Sequence, residues 1–115
     1  MSNGYITTLT HYAINGRRSG MVIEKTAVAG TLESSDIMIT VAPKEEGINI
    51  RLNSTVEKYY GNSIISSIQE ELERLGVRGA VVEAVDHGAL DCTIRARLIT
   101  AVKRASVSAN EGGIA

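Results

Sequence analysis

The chain contains no tryptophan and no phenylalanine. Its core must therefore be aliphatic, and it offers poor platforms for stacking nucleic-acid bases. Tyr5, Tyr12, Tyr59 and Tyr60 are its only aromatics. The single cysteine, Cys92, excludes a disulfide within the chain and fits a reducing cytosol. An excess of charge is missing as well: 12 Lys and Arg against 13 Asp and Glu leave a net charge of −1. Neutralising phosphates takes a basic excess, so nucleic acid is excluded as the main partner. No apolar run approaches the roughly 18 residues of a membrane helix, and the first twenty residues lack the apolar stretch of a secretory signal. The expectation is a cytoplasmic protein with no membrane partner.

Catalytic patterns are equally scarce. His11 and His87 lie far apart, and no CxxC, HExxH or carboxylate cluster accompanies them, so no metal site is expected. There is no G-x-S-x-G elbow, no Gly-Lys-Ser/Thr phosphate loop and no G-x-G-x-x-G. The pattern favours a carrier, adaptor or structural subunit over a free-standing enzyme.

What is present is periodicity. A chain of 115 residues suits one domain, large enough to hold a core without disulfides or metal. Residues 1–20 show no sustained period and end in Gly16-Arg17-Arg18-Ser19-Gly20. They read as an appended or alternative leader, probed at most by a strand over Ile6–Leu9, with Met21 as the natural start. Residues 26–32 are small and β-compatible. Ile37, Ile39 and Val41 alternate with Met38, Thr40 and Ala42, and Ile48, Ile50 and Leu52 alternate with Asn49, Arg51 and Asn53. The short link through Pro43 and Gly47 predicts that these two strands pair antiparallel.

Ser54 and Glu57 have capping-box spacing. Val56, Tyr60, Ile64, Ile68, Leu72 and Leu75 then form one helical stripe, closed by Gly76. Residues 80–85 read as a strand buried on both faces. Leu90, Ile94, Leu98, Ala101, Val102 and Ala105 mark a second helix with Arg95, Arg97 and Arg104 on its other faces. The expected fold is α+β: a two-layer sandwich of order β-β-β-α-β-α, with two helices on one face of a small, mostly antiparallel sheet. The domain would span 21–106, followed by a tail at 107–115.

Two features invite function. Glu33-Ser34-Ser35-Asp36 is a polar turn by composition, and a turn is also where a side chain stands exposed for modification. Arg95 and Arg97 read as a solvated helix face, or as a surface for an anionic partner.

Ordered blocks across residues 25–105 resemble the citrate lyase acyl carrier proteins, the gamma subunits. They are Ala27-Val28-Ala29-Gly30-Thr31-Leu32-Glu33-Ser34-Ser35-Asp36 with Ile37-Met38-Ile39, Asn53-Ser54 with Val56-Glu57-Lys58 and Tyr60-Gly61, and Gly88-Ala89-Leu90-Asp91-Cys92 with Ile94-Arg95-Ala96-Arg97-Leu98. The resemblance implies a non-catalytic carrier subunit. It would hold 2'-(5''-phosphoribosyl)-3'-dephospho-CoA covalently, through a phosphodiester to a serine. The thiol of that group bears acetyl and citryl thioesters during citrate fermentation. By position in the motif the serine is Ser34, while Ser35 fills a place where the family also accepts Gly. Implied partners are the alpha subunit, which exchanges acetyl for citryl, and the beta subunit, which releases oxaloacetate. A prosthetic-group transferase and an acetylating ligase would visit transiently. Arg95 and Arg97 are assigned to docking or to the group's phosphates. The rival readings are the carrier of malonate decarboxylase, whose attachment run lacks Thr-Leu-Glu, and a non-covalent α+β adaptor.

Overall fold

The computed structural model describes residues 4–9, 20–55 and 57–106, with only the backbone for 4–9 and 57–59. The tail at 107–115, His11 and most of the 1–20 segment lie outside the described residues.

Alternation builds the sheet. β2 is Ala27–Gly30, β3 is Ile37–Ala42 and β4 is Gly47–Ser54. Ile37, Ile39, Val41, Ile50 and Leu52 are fully buried, and the residues between them face away from the core. α1 runs Glu57–Leu75, β5 Gly79–Asp86 and α2 Asp91–Ala105. From Met21 onward the order is β-β-β-α-β-α, as expected. Ahead of it, Gly4–Leu9 forms β1, an edge strand antiparallel to β4.

The five strands lie in the order β1-β4-β5-β3-β2. β3 and β4 do not pair, contrary to the sequence expectation. β5 lies between them, parallel to β4 and antiparallel to β3. The reason is geometric. β5 takes the centre, with α1 as the crossover that returns the chain parallel to β4. The link from Ala42 to Gly47 must then step over β5, roughly 10 Å or two strand spacings. Gly79 makes room for it: a Cβ there would stand 2.2 Å from the Lys44 carbonyl oxygen. The Gly47 amide meanwhile donates to the Arg78 carbonyl at 3.0 Å.

β5 is not buried on both faces either. Ala80, Val82 and Ala84 point into the core, while Val81 and Val85 are half-buried and Glu83 is exposed, because both helices cover the same face.

α1 buries Ile64, Ile65, Ile68 and Leu72. It closes at Gly76, whose φ of 74° lets the Val77 amide reach the Leu72 carbonyl and its own amide reach that of Glu73, both at 3.0 Å. α2 buries Ile94, Leu98, Ala101, Val102 and Ala105. Two members of the expected stripes are not core: Tyr60 is 58% exposed and Leu90 is 70% exposed. Tyr60 sits in the first turn of α1, and Leu90 precedes the first turn of α2 as its N-cap. Residues 20–25 tie the far ends of the helices. The Met21 amide bonds the Leu75 carbonyl, and the Glu24 and Lys25 amides bond that of Ala105.

Arg95 locks the helices together. Its Nε donates to Asp91 at 2.7 Å, Nη1 to Glu71 at 3.0 Å and Nη2 to Glu70 at 2.9 Å. Ser67 donates to Asp91 and accepts from Arg95, and together these bonds hold the Asp91 carboxyl below the usual carboxylate range. The Glu71 side chain is only 6% exposed, so removing its cation leaves a buried carboxylate poorly compensated. Arg95→Ala should therefore lower the thermal midpoint clearly more than Arg51→Ala, which breaks a pair exposed on both sides. Parallel melts of the two variants check this.

Candidate functional site

One end of the sheet gathers the C-termini of β2, β4 and β5 and the N-terminus of β3. Both helices begin there, so their unpaired amides give this end a positive bias. The turn between β2 and β3 carries Ser34 at its exposed tip.

The turn is clamped on every side of that tip. Gly30 leaves β2 with φ 93°. Thr31 Oγ1 accepts from the Glu33 amide at 3.1 Å and donates to Asp36 Oδ2 at 2.7 Å. The Asp36 amide returns to the Glu33 carbonyl at 3.1 Å. Ser35 takes φ 65°, a left-handed conformation costing a non-glycine residue about 1 kcal/mol. A glycine would adopt this conformation without that cost. The Ser35 amide donates to the His87 carbonyl at 2.8 Å, and the His87 amide donates to the Asp36 carbonyl at 2.9 Å. His87 thus serves the turn through its backbone.

Asp36 is the keystone. Its carboxylate accepts its neighbour's amide, from Ile37, at 2.7 Å, and a two-pronged grip from Arg97 at 3.0 and 3.2 Å. The Arg97 bonds, then those from Thr31 and Ile37, hold the carboxyl far below the usual carboxylate range, and Asp36 in turn raises the Arg97 pKa. Across the cleft, Asp86 is 1% exposed and accepts from Ser54 Oγ at 2.9 Å, the Gly88 amide at 3.1 Å and the Ala89 amide at 3.0 Å. That fixes the β5–α2 loop on which the serine turn leans. Ser54 accordingly ends β4 and braces this loop.

The structure thus brings one of the two arginines singled out in the sequence to the serine turn. Arg97 reaches it through Asp36, whereas Arg95 faces α1. Both guanidinium groups are engaged by carboxylates of this chain. Thr31 and Asp36 had no assigned part in the sequence reading. Among the described residues the Ser34 hydroxyl has no hydrogen-bond partner, and no group of three or more His, Cys, Asp and Glu is placed to hold a metal. Among the described residues no helix is long and apolar enough to cross a membrane. Cys92 is exposed.

Residues 24–105, which include every member of the clamp, match the family model described as the malonate decarboxylase delta subunit. The citrate lyase acyl carrier protein of Streptococcus mutans serotype c is 61% identical over 87 residues, covering 75% of this chain and 85% of the relative. That of Streptococcus uberis is 62% identical over 86 residues, with the same coverage. The chain belongs to the citrate lyase acyl carrier protein family. The fold is shared more widely than that. A chain of the crystal structure of a Pseudomonas malonate decarboxylase hetero-tetramer in complex with malonate superposes with a TM-score of 0.72 at 14% identity, covering 90% of this chain and 99% of that one. In this acyl carrier family member, the serine turn and its clamp lie within the matched span.

Replacing Arg97 by Leu tests the clamp. In the wild type the depressed Asp36 pKa means that its stabilisation is complete above the unfolded carboxylate value, roughly 3.9, and is lost as pH falls through the lower folded value. In Arg97→Leu the Asp36 pKa should climb back toward the usual range. The stability gap between variant and wild type should be widest near neutrality and close toward strongly acid pH. Carboxyl NMR titration and pH-resolved denaturation read both effects.

Proposed function

We propose that the chain is the acyl carrier subunit of a citrate lyase, with Ser34 Oγ as the phosphodiester attachment point of 2'-(5''-phosphoribosyl)-3'-dephospho-CoA. The observation that carries this reading is the exposed Ser34 at the tip of a turn held rigid on both flanks, in a chain about 60% identical to named carriers. The site fits such a group. The hydroxyl points from a short side chain at a protruding turn, and the Thr31–Asp36–Arg97 clamp satisfies the neighbouring polar groups without drawing on it. An added phosphodiester also lies at the end where both helix N-termini favour an anion.

When bound, the group supplies a thiol on a long arm that holds an acyl unit as a thioester. The chain's own residues present the attachment point and fix its direction, and tethering raises the local concentration of the acyl unit at each partner's centre. Bond-making chemistry then belongs to the alpha and beta subunits, and loading to the transferase and ligase, all in the cytoplasm. Residues 21–106 hold the serine turn, its clamp and both helices of the carrier unit, and Gly4–Leu9 adds the edge strand β1 to its sheet. The shared fold with a malonate decarboxylase chain keeps one second reading, that of the malonate decarboxylase carrier.

The test is intact mass and peptide mapping of the chain expressed with its operon neighbours. An adduct of the dephospho-CoA type on the peptide holding Ser34 is expected. An unmodified Ser34 in an active native complex returns the protein to the adaptor class. Reconstitution with citrate lyase rather than malonate decarboxylase subunits then separates the two carrier readings.

A further inference from the structure

A groove of about 340 Å³ opens between the first turns of α1 and the β5–α2 loop. Tyr60, Ser63, Ile64, Ala89, Leu90 and Ile94 form its walls. It is continuous with the serine turn: Ser35, next to Ser34, bonds the carbonyl of His87, and the following residue, Gly88, lies on the groove. A Cβ built on Gly88 meets nothing within 4 Å, so the space above it is open. Among the described residues, three of the five large exposed hydrophobics, Leu32, Tyr60 and Leu90, stand around this end, which is unusual for a surface with no occupant.

The geometry points to this groove as the resting place of the adenine of the group attached at Ser34, stacked on Tyr60. The inference rests on the attachment proposed above. In that group the phosphoribosyl unit joins the serine to the ribose of the adenosine, so the base is the first large apolar body along the arm. The lining selects for it. Asp86 and Asp91 also line the groove, but their carboxylates are taken up by Ser54, the Gly88 and Ala89 amides, Ser67 and Arg95, which leaves the wall facing the ring largely apolar. Ile64, Ile94 and Leu90 offer aliphatic contact to the ring edge, and Tyr60 is the one aromatic side chain among the described residues. Base–aromatic stacking of this kind tolerates an exposed platform. The volume lies at the small end of the roughly 300–1,000 Å³ typical of ligand sites, room for a base and not for the whole group. Parking the base here shortens the free tether and leaves the thiol end to swing between partners.

The test compares apo and holo protein by NMR, with loading first established by mass. In the holo form, nuclear Overhauser contacts are expected from the adenine protons to the Tyr60 ring and to the Ile64 and Ile94 methyls, with amide shifts at Gly88, Ala89 and Leu90. Tyr60→Phe should retain these contacts and Tyr60→Ala should lose them, while both load at Ser34. Loaded protein whose shifts stay within residues 31–36 and whose adenine signals match free dephospho-CoA overturns the groove assignment and leaves the attachment standing. A mass showing no adduct on Ser34 overturns the attachment reading itself, and this inference with it.

Discussion

Ser34→Ala is expected to fold like the wild type and to abolish citrate cleavage by the complex reconstituted around it. The two halves of that expectation have separate physical grounds. Ser34 is exposed, and the bonds that hold its turn run through Thr31, Ser35, Asp36 and His87 instead. A surface change away from such features shifts stability by no more than about 0.5 kcal/mol. The loss of activity should be complete rather than graded, because on the proposed attachment the hydroxyl makes the one bond that would hold the arm. The Ser35 side chain is a hydroxyl too, but its backbone is turned left-handed and its amide is committed to His87. Ser35→Ala should therefore remain loaded and active. Mass and turnover measured on both variants give the answer, and full activity in Ser34→Ala would end the assignment to this residue.

How far the sequence reaches depends on the range of the interaction. Period-two alternation reports local geometry, so β3 and β4 were readable from Ile37 to Leu52. The stripes of both helices were readable wherever the helix lies flat on the sheet. They misled at Tyr60 and Leu90, where each helix begins beyond the sheet's edge and the same spacing carries a side chain into the groove. Pairing order is a non-local choice. It turned on Gly79 yielding space to the carbonyl of Lys44, and a lone glycine at a strand's start gives no sign of what crosses over it. Ser34 is singled out by the family resemblance alone; without it, this exposed residue would be one turn serine among many. Its clamp was not legible at all. Asp36 and Arg97 are 61 residues apart, and the arginine belongs to a helix face that pattern alone assigns to solvent. Arg95, two residues away, looks identical in sequence and is spent on joining the helices.

Gly30→Ala should be the most damaging single change at the site. A Cβ on Gly30 would lie 1.8 Å from the carbonyl oxygen of Ile37, a backbone atom fixed within β3, so no side-chain rotation relieves the overlap. The φ of 93° adds strain of about 1–3 kcal/mol for any residue with a Cβ. The turn must move to accommodate it, and what moves first is Thr31 and the Ser34 tip. The variant is therefore expected to lose stability well beyond the φ strain and to load poorly at Ser34. Gly88→Ala separates the two causes. Gly88 has the same φ of 93°, but a Cβ there meets nothing within 4 Å. It should cost only that same backbone strain, about 1–3 kcal/mol. Urea denaturation of the two variants side by side decides the matter. Equal losses would mean that backbone conformation alone requires glycine at residue 30. A clearly larger loss for Gly30→Ala means that contact with β3 positions the serine turn, and that the carrier site is held from the centre of the sheet outward.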